Sequence, residues 1–359
     1  MRTNRLSVYG YAETGYNASV MKPQRGLEGG TITCSAPGRA GIIGNPTDMY
    51  GGCVVSCSLN ERAYCSVSQS DELVIRLGDD ALTLRTSEDL ELDGGRFDLA
   101  KAALQALEFD PGLERFEISI HTDVPEQAGL AGSTAMLASV VGALLEYRGI
   151  ELNRYQLAEM VKRIESEIMK LTCGYQDHYM AVFGGLSFID LRGKELMRQT
   201  PDEPFATVES LGDAANGLPI VLAHTGVMRN SGAVHKSIRE RWIEGEPAVV
   251  NGYSRIAELG RLGKKALLLQ DWRELGKLMN ENHAIQRDLG GSGPSNERLI
   301  EAALAGGAYG AKLAGAGQGG TILALAEDTG GMARTLMHAG AERVFGLGPS
   351  EGLVVERTL

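Results

Sequence analysis

The residues with the clearest chemical potential lie between Pro125 and Ser133, just before a long apolar stretch. Gly129 and Gly132 allow the backbone to approach a ligand closely, because glycine has no Cβ to hold an anion away. Ser133 and Thr134 then open a helix, and the free backbone N–H groups at a helix N-terminus attract phosphate oxygens. The segment therefore predicts a phosphate-binding loop in which the Ser133 hydroxyl can also meet a magnesium ion.

Other interpretations of such glycine-rich loops have to be weighed. A serine at a helix start can simply cap the helix. A Walker-type loop is excluded, because no GxxxxGK followed by Ser or Thr occurs in the chain. A second cluster, from Gly315 to Gly320, formally satisfies GxGxxG. We expect a helix before it and a strand after it, the reverse of the order that NAD binding requires, and interpret it as a tight loop that presents Lys312.

The elements around these loops predict a mixed α+β fold. In the first half we predict strands and helices in this order: a strand from Thr31, a glycine-rich turn over 37–44, strands over 53–58, 63–69 and 73–76, a helix over 97–107, a strand over 115–121, helices over 134–147 and 154–170, and a strand over 180–189. The second half is richer in helix, with predicted helices over 230–244, 249–269, 272–289 and 296–305 and a strand over 321–326. Helices and strands do not alternate strictly, which favours α+β over a doubly wound parallel sheet.

Length and charge set the wider limits. A chain of 359 residues suits two domains, and we predict an N-terminal extension over 1–30, an N-terminal domain over 31–205 and a C-terminal domain over 206–359. The formal net charge of -11 argues against a nucleic-acid-binding face. No apolar run is long enough to cross a membrane, and the first residues lack the apolar stretch of a signal peptide. We therefore expect a cytoplasmic protein whose five cysteines are structural thiols.

Three blocks of the sequence, in this order, resemble the GHMP kinases, the superfamily of galactokinase, homoserine kinase and mevalonate kinase. They are residues 36–48 (APGRAGIIGNPTD), residues 125–135 (PEQAGLAGSTA) and residues 312–320 (KLAGAGQGG). The resemblance implies a two-lobed α+β fold, with a ribosomal-protein-like N-terminal domain and a ferredoxin-like C-terminal domain. It also implies that ATP and Mg²⁺ bind between the lobes, and that the chain is a monomer or a homodimer.

The resemblance assigns roles to particular residues. It implies that Asp177 accepts the proton of the substrate hydroxyl, that Arg39 assists it, and that Glu165 holds Mg²⁺ together with Ser133, although Glu167 is close enough to be confused with Glu165. Substrate contacts are implied for Asn45, Asp48 and Gly174. ATP contacts are implied for the two glycine loops, at Pro125, Gly129, Leu130, Ala131, Gly132, Ser133, Thr134, Lys312, Gly315 and Gly317. We interpret His178 as a spectator beside Asp177, and Cys173 as no nucleophile, because no base lies near it in the sequence.

Residues 44–48, 174–177, 184–186 and 231–242 are similar to glucuronokinases, while Asn45-Pro46 replaces the Glu-His of galactokinases and argues against galactose. Arg229, Lys236, Arg239 and Arg241 lie along one short stretch. On a helix, Arg229 and Lys236 could converge with Arg239 nearby, and this basic group could pair with a substrate carboxylate or phosphate. The alternative is a solvated helix face whose arginines pair with neighbouring glutamates.

The sequence thus predicts an ATP-dependent kinase that phosphorylates a sugar or sugar acid, at the anomeric hydroxyl of a uronic acid. The alternatives are a heptose 7-phosphate 1-kinase, a mevalonate-pathway enzyme, a GHMP-fold protein that binds a ligand without catalysis, and an NAD oxidoreductase.

Overall fold

The computed structural model describes residues 27, 29–194, 203–214, 217–227, 238–315 and 317–358. In this part of the chain two β-sheets are packed against helices, which confirms the predicted α+β class. The twelve strands are β1 (Thr31–Ile43), β2 (Cys53–Gln69), β3 (Leu73–Leu77), β4 (Asp80–Leu84), β5 (Phe116–Thr122), β6 (Leu186–Asp190), β7 (Thr207–Ser210), β8 (Ile220–His224), β9 (Gly310–Leu313), β10 (Thr321–Leu325), β11 (Arg343–Gly346) and β12 (Val354–Thr358).

The larger sheet has the strand order β12-β1-β2-β5-β3-β4, and β6 pairs with both β2 and β7. Neighbouring strands are antiparallel except for β3 and β5, which are parallel. Its buried face is covered by the helices α1 (Asp98–Ala106), α2 (Gly132–Arg148), α3 (Arg154–Arg163) and α4 (Gln176–Phe183). Most of α2 is apolar and buried, as expected for a helix between a sheet and other helices.

The smaller sheet is antiparallel, with the order β11-β8-β10-β9. The helices that follow the first half are α5 (Pro247–Leu268), α6 (Trp272–Asp288), α7 (Pro294–Ala305) and α8 (Thr329–His338), and residues 238–243 are also helical. Four-stranded antiparallel packing of this kind agrees with the ferredoxin-like C-terminal domain that the sequence predicts.

An apolar cluster joins the two sheets. It contains Ala40 and Ile42 from β1, Leu222 and Leu323 from the smaller sheet, and Met279 from α6, all of them fully buried. Because β1 runs from the larger sheet into this cluster, its second half is in contact with both lobes. This is the strand that carries Arg39.

Three local predictions are wrong. The predicted turn over 37–44 is largely strand, since β1 continues to Ile43 and pairs with β2 through two irregular steps. The predicted strand over 180–189 begins only at Leu186, because residues 176–183 form α4. A strand, β9, directly precedes the glycine cluster at 315–320, where we had expected a helix.

The predicted domain boundaries do not follow the two sheets. Strands β7 and β12 both follow residue 206, and both lie in the larger sheet. The C-terminal strand β12 pairs with β1, between Thr31 and Ser35, and so returns the chain to its first described strand. Most of the predicted extension over 1–30 lies outside the described residues.

Candidate active site

The predicted phosphate loop leads into α2, and no side chain in the described part of the chain caps the first turn of this helix. Ala131 is the N-cap, with a left-handed backbone at φ 61°, and among the described residues no side chain accepts a hydrogen bond at this helix start. Ser133 is exposed at this end of α2. The alternative that Ser133 or Thr134 merely caps the helix is therefore wrong, and the backbone N–H groups of the first turn are left for a ligand.

Arg39 connects this loop to Asp177. Its Nη1 donates a hydrogen bond to the carbonyl oxygen of Gly129, at 2.7 Å. Its Nε and Nη2 both contact Oδ1 of Asp177, at 2.7 and 2.6 Å. The backbone N–H of Arg39 also donates to the carbonyl of Leu130, at 2.9 Å. Arg39 is 7% exposed, whereas the Asp177 side chain is 32% exposed, so water partly screens the ion pair. The first and second sequence blocks therefore meet at this one guanidinium group.

Asp48 fixes the start of the helix that carries Asp177. Its Oδ2 accepts the backbone N–H groups of Tyr175 and Gln176, at 3.0 and 3.1 Å, where α4 begins. Burial, with the nearby Asp177 charge adding to it, raises the pKa of Asp48 above its usual value. Gly174 lies against the same carboxylate, since a Cβ at this position would be 1.9 Å from Asp48 Oδ2.

Glu165 lies beside the phosphate loop. Its Oε2 accepts a hydrogen bond from Thr134 Oγ1 at 3.2 Å and is 2.5 Å from His178 Nε2. His178 is fully buried, and burial alone would lower its pKa, but its contacts with Cys173 and Glu165 outweigh burial and raise the pKa to about 10. The ring that sequence reasoning treated as a spectator therefore links Glu165 to Cys173. Glu167, by contrast, lies near Arg163 on the partly exposed side of the helix.

Lys312 is buried at the junction of the two lobes, so the glycine loop does not present it to solvent. Its Nζ donates to Asn45 Oδ1 at 2.7 Å, to the carbonyl of Leu313 at 2.5 Å and to the carbonyl of Gly41 at 3.3 Å. Burial lowers its pKa to about 7, and the charge of Arg39 adds to the effect. The Lys312 amino group thus ties the third sequence block to the first.

Asn45 takes part in the same junction. Its Nδ2 donates to the carbonyl of Gly315 at 3.4 Å while its Oδ1 accepts from Lys312, and the residue is 2% exposed. A sugar could reach this amide only if those hydrogen bonds opened. Asn282 on α6 also contacts this corner, donating to the Asn45 carbonyl at 3.2 Å and accepting from the Gly44 N–H at 2.9 Å.

Sequence reasoning missed Asn282, although a signal was present. Asn282 follows Leu275, Leu278 and Met279 at helical spacing on the buried face of α6. A polar residue in such a buried apolar series needs a hydrogen-bond partner. This requirement is the signal that marks Asn282 as a candidate.

The glycine cluster connects β9 to β10 in an antiparallel hairpin. Gly317 has φ +89°, and a Cβ on it would lie 1.9 Å from the Gly291 carbonyl, so only glycine fits here. Because a strand follows the loop and no helix does, the cluster is no dinucleotide fingerprint.

The predicted basic group is only partly described. Arg229 and Lys236 lie outside the described residues. Arg241 is bound to Glu246 through Nε and Nη2, at 2.7 and 2.8 Å, and to the Leu289 carbonyl at 2.9 Å. Burial and the charge of Asp48 raise the pKa of Tyr50, and the charge of Arg239 partly offsets them.

Tyr50 belongs to a small aromatic cluster at this place. Its ring lies 5.2 Å from that of Trp242 and 4.6 Å from that of Tyr253. Among the described residues its buried hydroxyl has no hydrogen-bond partner. Sequence reasoning did not single out this residue.

The chain has recognisable relatives among known protein families. Models of protein families match the chain three times: the GHMP kinases N terminal domain over residues 98–185, the GHMP kinases C terminal domain over residues 264–334, and the galactokinase galactose-binding signature over residues 26–69. Together these stretches make up more than half of the chain. The chain belongs to the GHMP kinases.

Among curated relatives, a probable glucuronokinase 2 from Arabidopsis thaliana is 27% identical, over 81% of this chain and 84% of the relative. A mevalonate kinase from Thermococcus gammatolerans is 28% identical, over 91% and 99%. A D-glycero-alpha-D-manno-heptose 7-phosphate kinase from Campylobacter jejuni is 25% identical, over 83% and 90%.

The fold is shared with solved structures as well. The galactokinase of Lactococcus lactis, solved with galactose, superimposes with a TM-score of 0.74 at 17% identity, over 96% of this chain and 97% of that one. At such identity the likeness shows the fold alone. The family places this chain among ATP-dependent phosphotransferases that act on a hydroxyl group. No helix among the described residues is long and apolar enough to cross a membrane.

Proposed function

We propose that this GHMP kinase transfers the γ-phosphate of ATP to the anomeric hydroxyl of a uronic acid. The observation that carries the proposal is the position of Arg39, which contacts Asp177 on one side and the Gly129 carbonyl of the phosphate loop on the other. A carboxylate held this close to a phosphate-binding loop can meet the acceptor hydroxyl beside the γ-phosphate.

In the reaction, Asp177 accepts the proton of the attacking hydroxyl. The hydroxyl oxygen forms a bond to the γ-phosphorus, the bond from that phosphorus to the β–γ bridging oxygen breaks, and ADP leaves. Phosphoryl transfer depends mainly on positioning and on charge stabilisation. Arg39 supplies both, because its fork holds Asp177 in one orientation and its charge faces the phosphate loop.

The uncapped first turn of α2 would bind the phosphates. The backbone N–H groups that follow Ala131 point out of the helix end, where the helix dipole favours negative charge. The remaining ATP contacts that we propose, at Lys312, Gly315 and Gly317, are made through the loop between β9 and β10. Lys312 would act through its hold on that loop, since its amino group is fully buried.

The residues also fit a magnesium ion. Mg²⁺ prefers oxygen ligands, and Glu165 offers a carboxylate that Thr134 holds next to the phosphate loop. We propose that Ser133 and Glu165 hold the ion, which when bound would neutralise charge on the phosphates.

Basic residues near Asp48 support the proposed substrate class. Arg241 is paired with Glu246 and the Leu289 carbonyl. The charge of Arg239 reaches Tyr50, whose pKa the charge of Asp48 also affects. We propose that Arg239, with Arg229 from outside the described residues, pairs with the substrate carboxylate. Asp48 and Gly174 would then act at the sugar mainly by fixing the start of α4, and Asn45 by fixing the lobe junction.

The test is a substrate screen with ATP and Mg²⁺ on purified protein. Glucuronate and galacturonate are each compared with the matching neutral hexose, and NMR identifies the phosphorylated oxygen. We expect both acids to be used far better than glucose and galactose. The Arg239→Gln variant should lose this preference, whereas the matched Arg241→Gln variant should keep it.

The screen also separates the alternatives. Preference for a neutral hexose would contradict the uronic-acid proposal. Turnover of a heptose 7-phosphate alone would keep the kinase and reassign the basic group to the substrate's phosphate. Turnover of mevalonate alone would exclude a sugar. Absence of ATP turnover with every acceptor would favour a GHMP-fold protein that binds ligands without catalysis.

A further inference from the structure

Three side chains with metal-binding atoms meet beneath the N-terminus of α2. A carboxylate oxygen of Glu165, a ring nitrogen of His178 and the sulfur of Cys173 all lie within 4.8 Å of one another. Glu165 and His178 are buried and Cys173 is partly exposed. No other such group of three is found among the described residues.

Local structure brings these residues together. The helix that begins with α3 widens into a π-helical turn over Ile164–Ile168, which carries Glu165. Such turns are frequent at functional sites. Lys170 then takes a left-handed backbone at φ 58° and turns the chain. Residues 171–175 lead back to α4, so that Cys173 and His178 return to the side of Glu165.

The geometry orients donors towards the centre of the cluster. His178 Nε2 is 2.5 Å from Glu165 Oε2. Nε2 is therefore the ring nitrogen that faces the carboxylate. The other ring nitrogen, Nδ1, is buried without a hydrogen-bond partner among the described residues. Thr134 Oγ1 holds the same carboxylate oxygen at 3.2 Å. Outer hydrogen bonds of this kind orient ligands in metal sites.

The chemistry of the three donors selects the type of ion. Mg²⁺ prefers oxygen and is a poor partner for sulfur. One thiolate, one imidazole nitrogen and one carboxylate oxygen suit Zn²⁺, and three protein ligands leave its fourth position for water. Zinc–ligand bonds of about 2.0–2.3 Å keep neighbouring donors farther apart than 2.5 Å, so the ion would take the place of the Glu165–His178 hydrogen bond.

We propose that Glu165, Cys173 and His178 form a site for a thiophilic divalent cation such as Zn²⁺, and that its occupation inhibits the kinase. Binding would release the thiol proton of Cys173 and the proton shared between His178 and Glu165. It would also occupy the Glu165 carboxylate that the proposed magnesium site needs. The inhibition, but not the metal binding, rests on the proposed role of Glu165 in the kinase reaction.

The first experiment measures binding without any kinase substrate. Co²⁺ is added to the apo protein, because a thiolate bound to Co²⁺ gives a near-ultraviolet charge-transfer absorption. We expect one Co²⁺ per chain with this absorption, displaced by Zn²⁺ and insensitive to Mg²⁺. Cys173→Ser should abolish the absorption. The matched variant His121→Gln, which alters an exposed His–Asp pair elsewhere on the surface, should retain it.

A second measurement uses the wild-type chain, so that folding of a variant is not at issue. Cys34, Cys53, Cys57 and Cys65 are all fully buried, which leaves Cys173 as the accessible thiol. Zn²⁺ should slow alkylation of Cys173 by iodoacetamide at least tenfold, and Mg²⁺ should not. Equal alkylation with and without Zn²⁺, or a Co²⁺ absorption that survives in Cys173→Ser, would overturn the proposal.

The third measurement tests the inhibition. Zn²⁺ at the concentration that saturates the Co²⁺-competition assay should suppress ATP turnover in wild type and leave Cys173→Ser active. Zn²⁺ binding without loss of turnover would keep the metal site and refute the inhibition. Loss of turnover equal in both proteins would refute inhibition through this site. If the chain has no kinase activity, the proposed function is contradicted. The absorption and alkylation results would still test the metal site.

Discussion

The two lobes bury charge in different ways, as a comparison of the surroundings of Asp177 and Lys312 shows. Near Asp177, opposite charges and backbone N–H groups face one another: Arg39 meets Asp177, and Asp48 accepts two N–H groups. Lys312 instead meets neutral oxygens, those of Asn45, Gly41 and Leu313. Opposite charges and N–H donors favour the charged form of a buried group, although burial still raises the pKa of Asp48. A cation among neutral groups loses its proton more readily.

This difference suggests a division of labour. In the proposed reaction, the paired region supplies Asp177 as proton acceptor and Arg39 beside the phosphate loop. The Lys312 region holds the third sequence block against the first, and its lowered pKa of about 7 shows that a fixed charge is disfavoured there. Changes around Asp177 should therefore affect turnover, and changes around Lys312 should affect stability and its pH dependence.

The largest effect is expected for Asp177→Asn. The variant keeps the shape of the side chain but cannot accept the hydroxyl proton, and loss of a general base costs roughly 10²–10⁴-fold in rate. Steady-state kinetics with the best acceptor measures the loss, and thermal unfolding checks the fold. Asp190→Asn, at a carboxylate paired with the exposed Arg192, is the control. A rate near wild type in Asp177→Asn would remove Asp177 from the mechanism.

Arg39→Lys should have the next largest effect. A lysine keeps the charge but has no planar fork to reach both Asp177 and the Gly129 carbonyl. Misplacement of a reacting group by about 1 Å costs about 10²-fold, and we expect turnover to fall by that order. Arg76→Lys is the control, because Arg76 makes a bidentate pair with Glu117 outside the site. If both variants retain full turnover, the Arg39 fork is not needed for catalysis.

Gly174→Ala should destabilise the paired region itself. The added methyl group would lie 1.9 Å from Asp48 Oδ2 and must displace the carboxylate that caps α4. Overpacking of this kind costs about 1–3 kcal/mol in free energy of unfolding. Denaturant unfolding measures it, with Gly346→Ala as the control, since a Cβ there has nothing within 4 Å. Equal stability of the two variants would show that Asp48 can move without cost.

The last prediction concerns Lys312 and the pH dependence of stability. Its pKa is about 7 in the folded chain against an ordinary 10.5, so between these values the unfolded chain binds more protons. Stability therefore rises as pH increases from about 7 to 10 and falls as pH returns towards 7. Lys312→Met should lack this contribution, so the free energy of unfolding of wild type minus that of the variant should grow over this range.

The measurement is urea unfolding at several pH values, with Lys265→Gln on the exposed side of α5 as the control. The same pH dependence in Lys312→Met and wild type would mean that the buried amino group does not titrate in this range. Such a result would remove the contrast between the two lobes.

Much of the fold was predictable because apolar periodicity is a local property. The α2 helix, the alternating strand β5 and the helices α6 and α7 all lie within a few residues of their predicted positions. The failures arose where tertiary contacts override local signals. The Pro- and Gly-containing stretch before Gly44 looks like a turn, yet β2 pairs with it and the Leu130 carbonyl binds it.

The sequence by itself determined the chemistry available: a glycine-rich anion loop, a carboxylate at Asp177 and an arginine after Pro37-Gly38. Only the tertiary structure decided which of these groups meet. Arg39 and Asp177 are separated by 138 residues, and Lys312 and Asn45 by 267. Contacts at such separations depend on how strands and helices pack, and no local pattern encodes them. For the same reason the sequence predicted His178 to be a spectator, whereas in the structure its ring contacts Glu165 and Cys173.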